Sequence, residues 1–215
     1  ILYADSVSDR PGPGLATHHA LPADPLSSYL ADLRFVVNRF GHQRDDPTAE
    51  ADRRVIGDVE VIYFRGGSGR VISSGATYAC GRGDLVIIPP FHVHEIRTTR
   101  DDPHENYWVH FDVDPLYERE RFVTLLASSG HHLKQADDEP VVAGALGMIA
   151  TTVDRATGDE GADTTTPRRF EAVAGTSAAI EGAIRVLAAA IGATADLASI
   201  LAPPAPSDAE RSVLD

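Results

Sequence analysis

The apolar positions of the chain change their period once, near Asp114. From Gly57 they alternate or run in short blocks, through DVEVIYFRGG, GRVISSG, ATYACGRGD, DLVIIPP, FHVHEIR and NYWVHFDV. Alternation marks a half-buried strand, and a short apolar block marks a fully buried one. Glycines and Pro89-Pro90 punctuate the runs as turns. Short strands at such close spacing predict an all-β barrel or sandwich. Beyond Asp114 the spacing becomes three and four. LYERERFVTLLASS carries Leu116, Phe122, Leu125 and Leu126, and EPVVAGALGMIATTVDRA carries Val142, Leu146, Ile149 and Val153. The predicted fold class is mainly β with appended α: a small β-barrel of jelly-roll type followed by two or three helices packed on it.

The last helical pattern is the most regular. Phe170, Val173, Ser177, Ile180, Ile184, Leu187 and Ile191 follow one another at steps of three and four, a heptad-like seam broken once at Ser177. Pro167 suits its first turn and Gly192 its end. One reading packs this amphipathic helix on its own barrel. The other also pairs two subunits, with Phe170, Val173, Ile180, Ile184, Leu187 and Ile191 as the contact and Ala174, Gly175, Ala178 and Gly182 allowing close approach.

The flanks are less patterned. Residues 1–28, rich in Pro, Gly, Ser and Asp, read as a flexible amino-terminal arm. Residues 29–40 (YLADLRFVVNRF) read as a short helix running into a strand, or as a strand alone, and open a barrel region at 29–114. GHQRDDPTAEADRR reads as a loop, as does TGDEGADTTT between the helices. The helical region is placed at 115–200. Residues 201–215 read as a Pro-rich linker and a helix start, because Ser207 and Glu210 have capping-box spacing. That helix stops after two turns at Asp215, so a further domain is expected to follow.

Composition narrows the function. Apolar residues make up 43% of the 215, enough for a real core. The net charge of −13 repels phosphate backbones, so this chain by itself is not expected to bind nucleic acid. Cys80 is the sole cysteine, which rules out an internal disulfide and a Cys-based zinc site and suits a reducing, cytoplasmic setting. No apolar run approaches the roughly 18 residues that span a bilayer. The chain starts at Ile1 and its one methionine is Met148, which reads as part of a longer protein.

The candidate chemistry lies in PPFHVHEIRTTRDDPHENYWVHFDV, residues 89–113, which holds His92, His94, His104 and His110. Alternation puts His92, His94 and Ile96 on one strand face, and Asn106, Trp108, His110 and Asp112 on one face of the next. If the two strands pair, His94 and His110 approach each other. Three readings follow. The first is a metal site built from the four histidines. The second, a catalytic site, is weak: no Ser or Cys nucleophile sits beside a His in a recognisable motif, and no phosphate loop is present. The third is a pocket for a small molecule, walled by Trp108, Tyr63 and Tyr78 with Arg65, His94, Asn106 and His110 as polar contacts. Set against it, His94 and His110 read as buried imidazoles bonded to backbone, Trp108 as core, and Arg65 as half of a surface ion pair.

GDLVIIPPFHVH resembles the second motif of the cupin superfamily, with His94 on the motif's His. Glu60 and Gly67 have the spacing of the Glu and Gly of the first motif. The positions of its HxH hold Arg54 and Ile56, or Arg53 and Val55, and arginine cannot ligate a metal. Glu60 reads as an outward strand residue or as the partner of Arg53 or Arg54. Residues 53–113 as a whole, ending in YWVHFDV, resemble the amino-terminal, cupin-like effector domain of AraC-type transcription regulators. The resemblance implies a homodimeric, ligand-responsive regulator with no cofactor and no enzymatic activity. A small-molecule effector would enter the barrel, two helices would form the dimer contact, and DNA would be bound through a helix-turn-helix domain beyond residue 215. It places Asn106, Trp108, His110 and His94 in the pocket. Ile96, where sugar-sensing relatives can carry a polar aromatic, argues against a sugar. The alternative is a metal-dependent cupin enzyme using His92, His94, His104 and His110.

Overall fold

The alternating segments pair into two antiparallel sheets. The computed structural model describes residues 24–44, 53–157, 174–193 and 195–201. The strands are β1 (Arg34–Arg44), β2 (Arg54–Val55), β3 (Val59–Gly66), β4 (Ser68–Ser73), β5 (Ala76–Gly81), β6 (Leu85–Ile88), β7 (Val93–Thr98), β8 (Glu105–Asp114) and β9 (His132–Leu133). The helices are α1 (Pro25–Ala31), α2 (Arg119–Leu126), α3 (Pro140–Thr157), α4 (Ala174–Gly192) and α5 (Leu197–Leu201). One sheet has five strands in the order β1-β8-β3-β6-β9, and the other has four in the order β2-β7-β4-β5. With helices appended on one side, this is the expected jelly-roll-type fold.

Two apolar layers result. Between the sheets lie Ile56, Ile62, Phe64, Val71, Cys80, Val86 and Ile88, with Tyr78, Ile96 and Trp108 packed partly buried against them. The larger layer lies between the five-stranded sheet and the helices, and takes the opposite residues of the same strands: Val59 and Val61, Leu85 and Ile87, Tyr107, Val109, Phe111 and Val113. Both faces of β3, β6 and β8 are therefore buried, which explains their near-continuous apolar composition. Phe35, Phe111 and Phe122 meet ring on ring, with centroids 4.9 to 6.1 Å apart, and pin α2 to β1 and β8. Burying each such ring contributes about 1.5–3 kcal/mol.

Local chemistry sets the boundaries. Asp24 caps α1 by accepting from the Ser27 amide at 2.9 Å, and Pro25 occupies the first turn. Arg185 of α4 donates to the Leu30 and Leu33 carbonyls at the other end of α1. The helix-into-strand reading of 29–40 is the one observed, but Leu26 and Leu30 are buried in a helix that begins at Pro25, so a boundary at residue 28 cuts through α1. β1 runs on through Gly41–Arg44, part of the stretch expected to be a loop, because β8 offers a partner along its whole length. Gly67 (φ 65°) makes the β3–β4 turn, where a Cβ would stand 2.0 Å from the Pro103 carbonyl oxygen.

Two expectations are corrected. The strands holding His94 and His110 do not pair: β7 lies between β2 and β4, and β8 between β1 and β3. In the helical region, Ile180, Ile184, Leu187 and Ile191 are buried in the same layer as Val142, Leu146, Ile149 and Val153 of α3. These four positions of the seam are therefore internal. Phe170 and Val173 lie outside the described residues, as do the arm at 1–23, Pro167, the loop from 158 on, and Ser207 and Glu210. Gly175–Gly192 is long and apolar enough to cross a membrane, with a mean hydropathy of 1.2, but its large apolar side chains pack against α3 and the sheet.

Candidate ligand site

Strand parity delivers the polar residues to the space between the sheets. Glu60 follows the inward register of Ile62 and Phe64, and its Cα faces His110 on β8 directly. His94 comes from β7 on the opposite sheet, and Arg54 is its ladder partner on β2. These residues close around one carboxylate. Glu60 is fully buried. Its Oε1 accepts from Arg54 Nη2 at 2.9 Å and lies 3.2 Å from His110 Nε2, while its Oε2 lies 3.1 Å from His94 Nε2. The other His110 nitrogen, Nδ1, is 2.9 Å from Asp58 Oδ1. Asn38 then donates to Asp58 Oδ2 at 2.9 Å.

The hydrogen bonds assign the protons. Both nitrogens of His110 face carboxylate oxygens, so both donate and the ring is an imidazolium. Burial opposes that charge, but the bonds to Asp58 and Glu60 outweigh it, and the His110 pKa is raised. Burial likewise pushes Glu60 up, yet His110 and the Arg54 charge hold it well below the usual carboxylate range. Asp58 is lowered through the same balance, with His110 and Asn38 against burial. His94 differs. Its Nδ1 donates to the His92 carbonyl at 3.2 Å, leaving Nε2 to accept from Arg54 Nε at 3.0 Å. Glu60 Oε2 therefore faces a ring nitrogen that already accepts, and it has no hydrogen-bond donor.

Next along the inner face of β8 stand Trp108 and Asn106. The Trp108 indole packs against Gly41 of β1, where a Cβ would come within 2.5 Å of the ring, and it meets His110 in a T-shaped contact with centroids 5.3 Å apart. Asn106 is 1% exposed, and neither its Oδ1 nor its Nδ2 has a hydrogen-bond partner. A buried unpartnered amide costs about 1–3 kcal/mol, so it marks a place where the fold is not optimised for stability alone.

Five of the expected pocket residues, Tyr78, His94, Asn106, Trp108 and His110, thus share the inter-sheet space. Tyr63 and Arg65 do not. They point to the helix side of β3, where Tyr63 Oη donates to Asp137 at 3.1 Å and Arg65 donates to Tyr107 Oη at 2.6 Å. The four-histidine metal set is not assembled. His92 lines a separate cavity with His131, and His104 packs edge-on to Phe64 at 5.4 Å. The Glu60 centre does not suit a metal either, because the permanently charged guanidinium of Arg54 already contacts both Glu60 and His94. Among the described residues one other cluster has ligand-like geometry, Cys80, Asp84 and His132. There Asp84 accepts from the Gly81 and Gln135 amides and from His132, tying the β5–β6 turn to β9. Burial pushes the Cys80 thiol up to about 11, so it stays protonated. Sequence reasoning missed Asp58 as a member of the site and offered Arg54 only as one of two ion-pair partners for Glu60; the i, i+2 placement of Asp58 and Glu60 on one strand face was the available signal.

Comparison with known proteins bears on the same segment. Residues 36–118 match the family model of the AraC-like ligand binding domain. Similar solved structures include a predicted oxalate decarboxylase from Thermotoga maritima, 20% identical over 34% of this chain and 65% of that one, with a TM-score of 0.31. A protein of unknown function from Rhizobium leguminosarum is 21% identical over 33% of this chain and 66% of its own, with a TM-score of 0.30. A cupin protein from Bacteroides fragilis is 17% identical over 33% and 60%, with a TM-score of 0.28. The chain spans less than two thirds of the length of each. No curated protein matches it. Residues 36–118 are thus similar to the AraC-like ligand-binding domains, and their two-sheet fold gathers buried, incompletely bonded polar groups between its sheets.

Proposed function

We propose that the chain is the effector-sensing and dimerisation half of a cytoplasmic transcription regulator, and not an enzyme. A small molecule enters between the sheets and contacts Trp108, Asn106, Tyr78 and the Glu60–His94–His110 group. The carrying observation is the orphaned amide of Asn106, supported by the donor-less Oε2 of Glu60. A ligand offering one acceptor and two donors satisfies both. With His94 and Arg54 mutually bonded and no four-histidine centre formed, the metal-dependent enzyme is the weaker reading.

Dimerisation is assigned to the outer side of the helix pair, opposite the buried seam. Gly175, Ala178, Gly182 and Val186 form an exposed small-residue stripe on α4, and Val141 and Met148 are exposed on α3. DNA contact belongs to a helix-turn-helix domain beyond this chain, because a net charge of −13 disfavours a phosphate partner.

Native mass spectrometry of protein purified without chelator tests this reading. The expected species is a metal-free dimer carrying a small-molecule adduct. Asn106→Leu should remove the adduct while raising stability by about 1–3 kcal/mol, because it replaces an unpartnered buried amide with an apolar group of similar size. A monomer, a stoichiometric metal, or an adduct that survives Asn106→Leu would each count against it.

A further inference from the structure

A cavity of about 790 Å³ lies outside the barrel, between the Pro89–His92 turn, α2 and α5. Its size is that of a small-molecule site, for which roughly 300–1,000 Å³ is usual. Pro89, Pro90, Val123, Ala127 and Ile200 provide apolar wall.

Three features separate it from an incidental surface cleft. Phe91 at its rim has φ 63°, a left-handed conformation that a bulky side chain rarely adopts, and is 67% exposed. Its amide is held there by the Ile56 carbonyl at 2.7 Å. Strain and an exposed aromatic ring at one residue both work against fold stability, so neither is explained by packing. Next, His131 lines the cavity with a buried Nδ1 that has no hydrogen-bond partner. Burial and neighbouring His92 hold its ring below the ordinary histidine range, so it is a neutral group able to donate or accept. Finally, the wall offers nothing to an anion. Arg119 is engaged by the Gly57 carbonyl and Asp112 and lies 5.4 Å from the Phe91 ring centroid, while Glu120 and Asp196 are the acidic wall residues. A carboxylate or phosphate ligand finds no uncommitted counter-charge among these wall residues.

We propose that this cavity is a second small-molecule site, distinct from the barrel, that takes an uncharged aromatic alcohol or phenol, its ring against Phe91 and Pro89 and its hydroxyl on His131. The proposal does not depend on what occupies the barrel.

Titration of the 215-residue chain with 2-naphthol tests it. Saturable binding with one site per chain is expected, at least tenfold tighter than binding of 2-naphthoate, whose carboxylate is charged. Phe91→Gly should weaken 2-naphthol binding at least tenfold with the melting temperature unchanged or raised, since glycine adopts φ 63° without strain. His131→Leu should weaken it similarly, and Trp108→Ala, inside the barrel, should leave it unchanged. Absence of saturable binding overturns the proposal, as does equal affinity in Phe91→Gly, or a loss confined to Trp108→Ala.

Discussion

At the scale of single residues the centre of the protein is an ion cluster. Glu60 and Asp58 carry negative charge, Arg54 and His110 positive, and all but Arg54 are buried. The charges cancel, which makes burying them tolerable, but removing one partner strands the others. His110→Gln leaves two buried carboxylates short of a cation and should cost about 3–5 kcal/mol. The pH dependence identifies the source. The His110 pKa is raised on folding, so its stabilisation is complete below the unfolded value of about 6.5. It declines as pH rises through the higher folded value. Glu60 and Asp58 act in the opposite sense: their folded values are lowered, and their contribution holds above the ordinary carboxylate range and is lost on acidification. Chemical denaturation from pH 5.5 to 8.5 should show wild-type stability falling as pH rises through the folded His110 value and His110→Gln without that fall, since His131, whose folded value is lowered, contributes only a rise with pH. An unchanged slope in the variant would assign the decline to another group. Much of this cluster was legible beforehand. The motif spacing singled out Glu60 and His94, alternation grouped Asn106, Trp108 and His110, and Arg54 was named as a partner for Glu60. What spacing could not settle was which face of β3 turns inward, because both are buried; Tyr63 and Arg65 were therefore assigned to the wrong side.

At the scale of elements the helices teach a similar lesson. The three-and-four spacing of α4 is real, and the residues it picks out are the buried ones: Ile180, Ile184, Leu187 and Ile191 are at most 4% exposed. The partner is α3 of the same chain, because a single helix's period says that a face is covered without saying by what. This separates two substitutions that a dimer seam would have made alike. Ile184→Ala empties space in the intramolecular core and should cost about 2–5 kcal/mol with the proposed dimer retained. Gly182→Arg, on the exposed stripe where a Cβ meets nothing within 4 Å, should leave monomer stability unchanged or slightly improved through helix propensity while abolishing the proposed dimer. Analytical ultracentrifugation alongside denaturation checks both. Dissociation caused by Ile184→Ala in a folded protein would return the seam to the subunit interface. The short elements escaped prediction for a related reason. β2 and β9 are two-residue strands defined only by the partners they meet, and α5 is a five-residue helix with no turn pattern of its own.

At the scale of the whole molecule, β8 joins the two layers. Its inward residues Asn106, Trp108 and His110 line the proposed pocket, and Tyr107 between them points outward to the helices. There Tyr107 Oη accepts from Arg65 and donates to Asp154 of α3 at 2.9 Å, and its ring stacks on His42 at 4.4 Å. Burial and the Asp154 carboxylate raise the Tyr107 pKa, so the hydroxyl keeps the proton that makes this bond. A shift of β8 on ligand binding therefore has one rigid route to the end of α3. Effector control requires such a two-state element, and proximity alone does not show coupling. A double-mutant cycle does. Tyr107→Phe removes a hydrogen bond to a charged group and should cost about 1.5–3 kcal/mol, speeding amide exchange in the last turns of α3. Trp108→Ala, which acts from the other face, should speed the same amides in the wild-type background and have little further effect in Tyr107→Phe. If the two substitutions instead add independently, the barrel and α3 respond separately, and transmission must run through the Phe35–Phe111–Phe122 contact and α2.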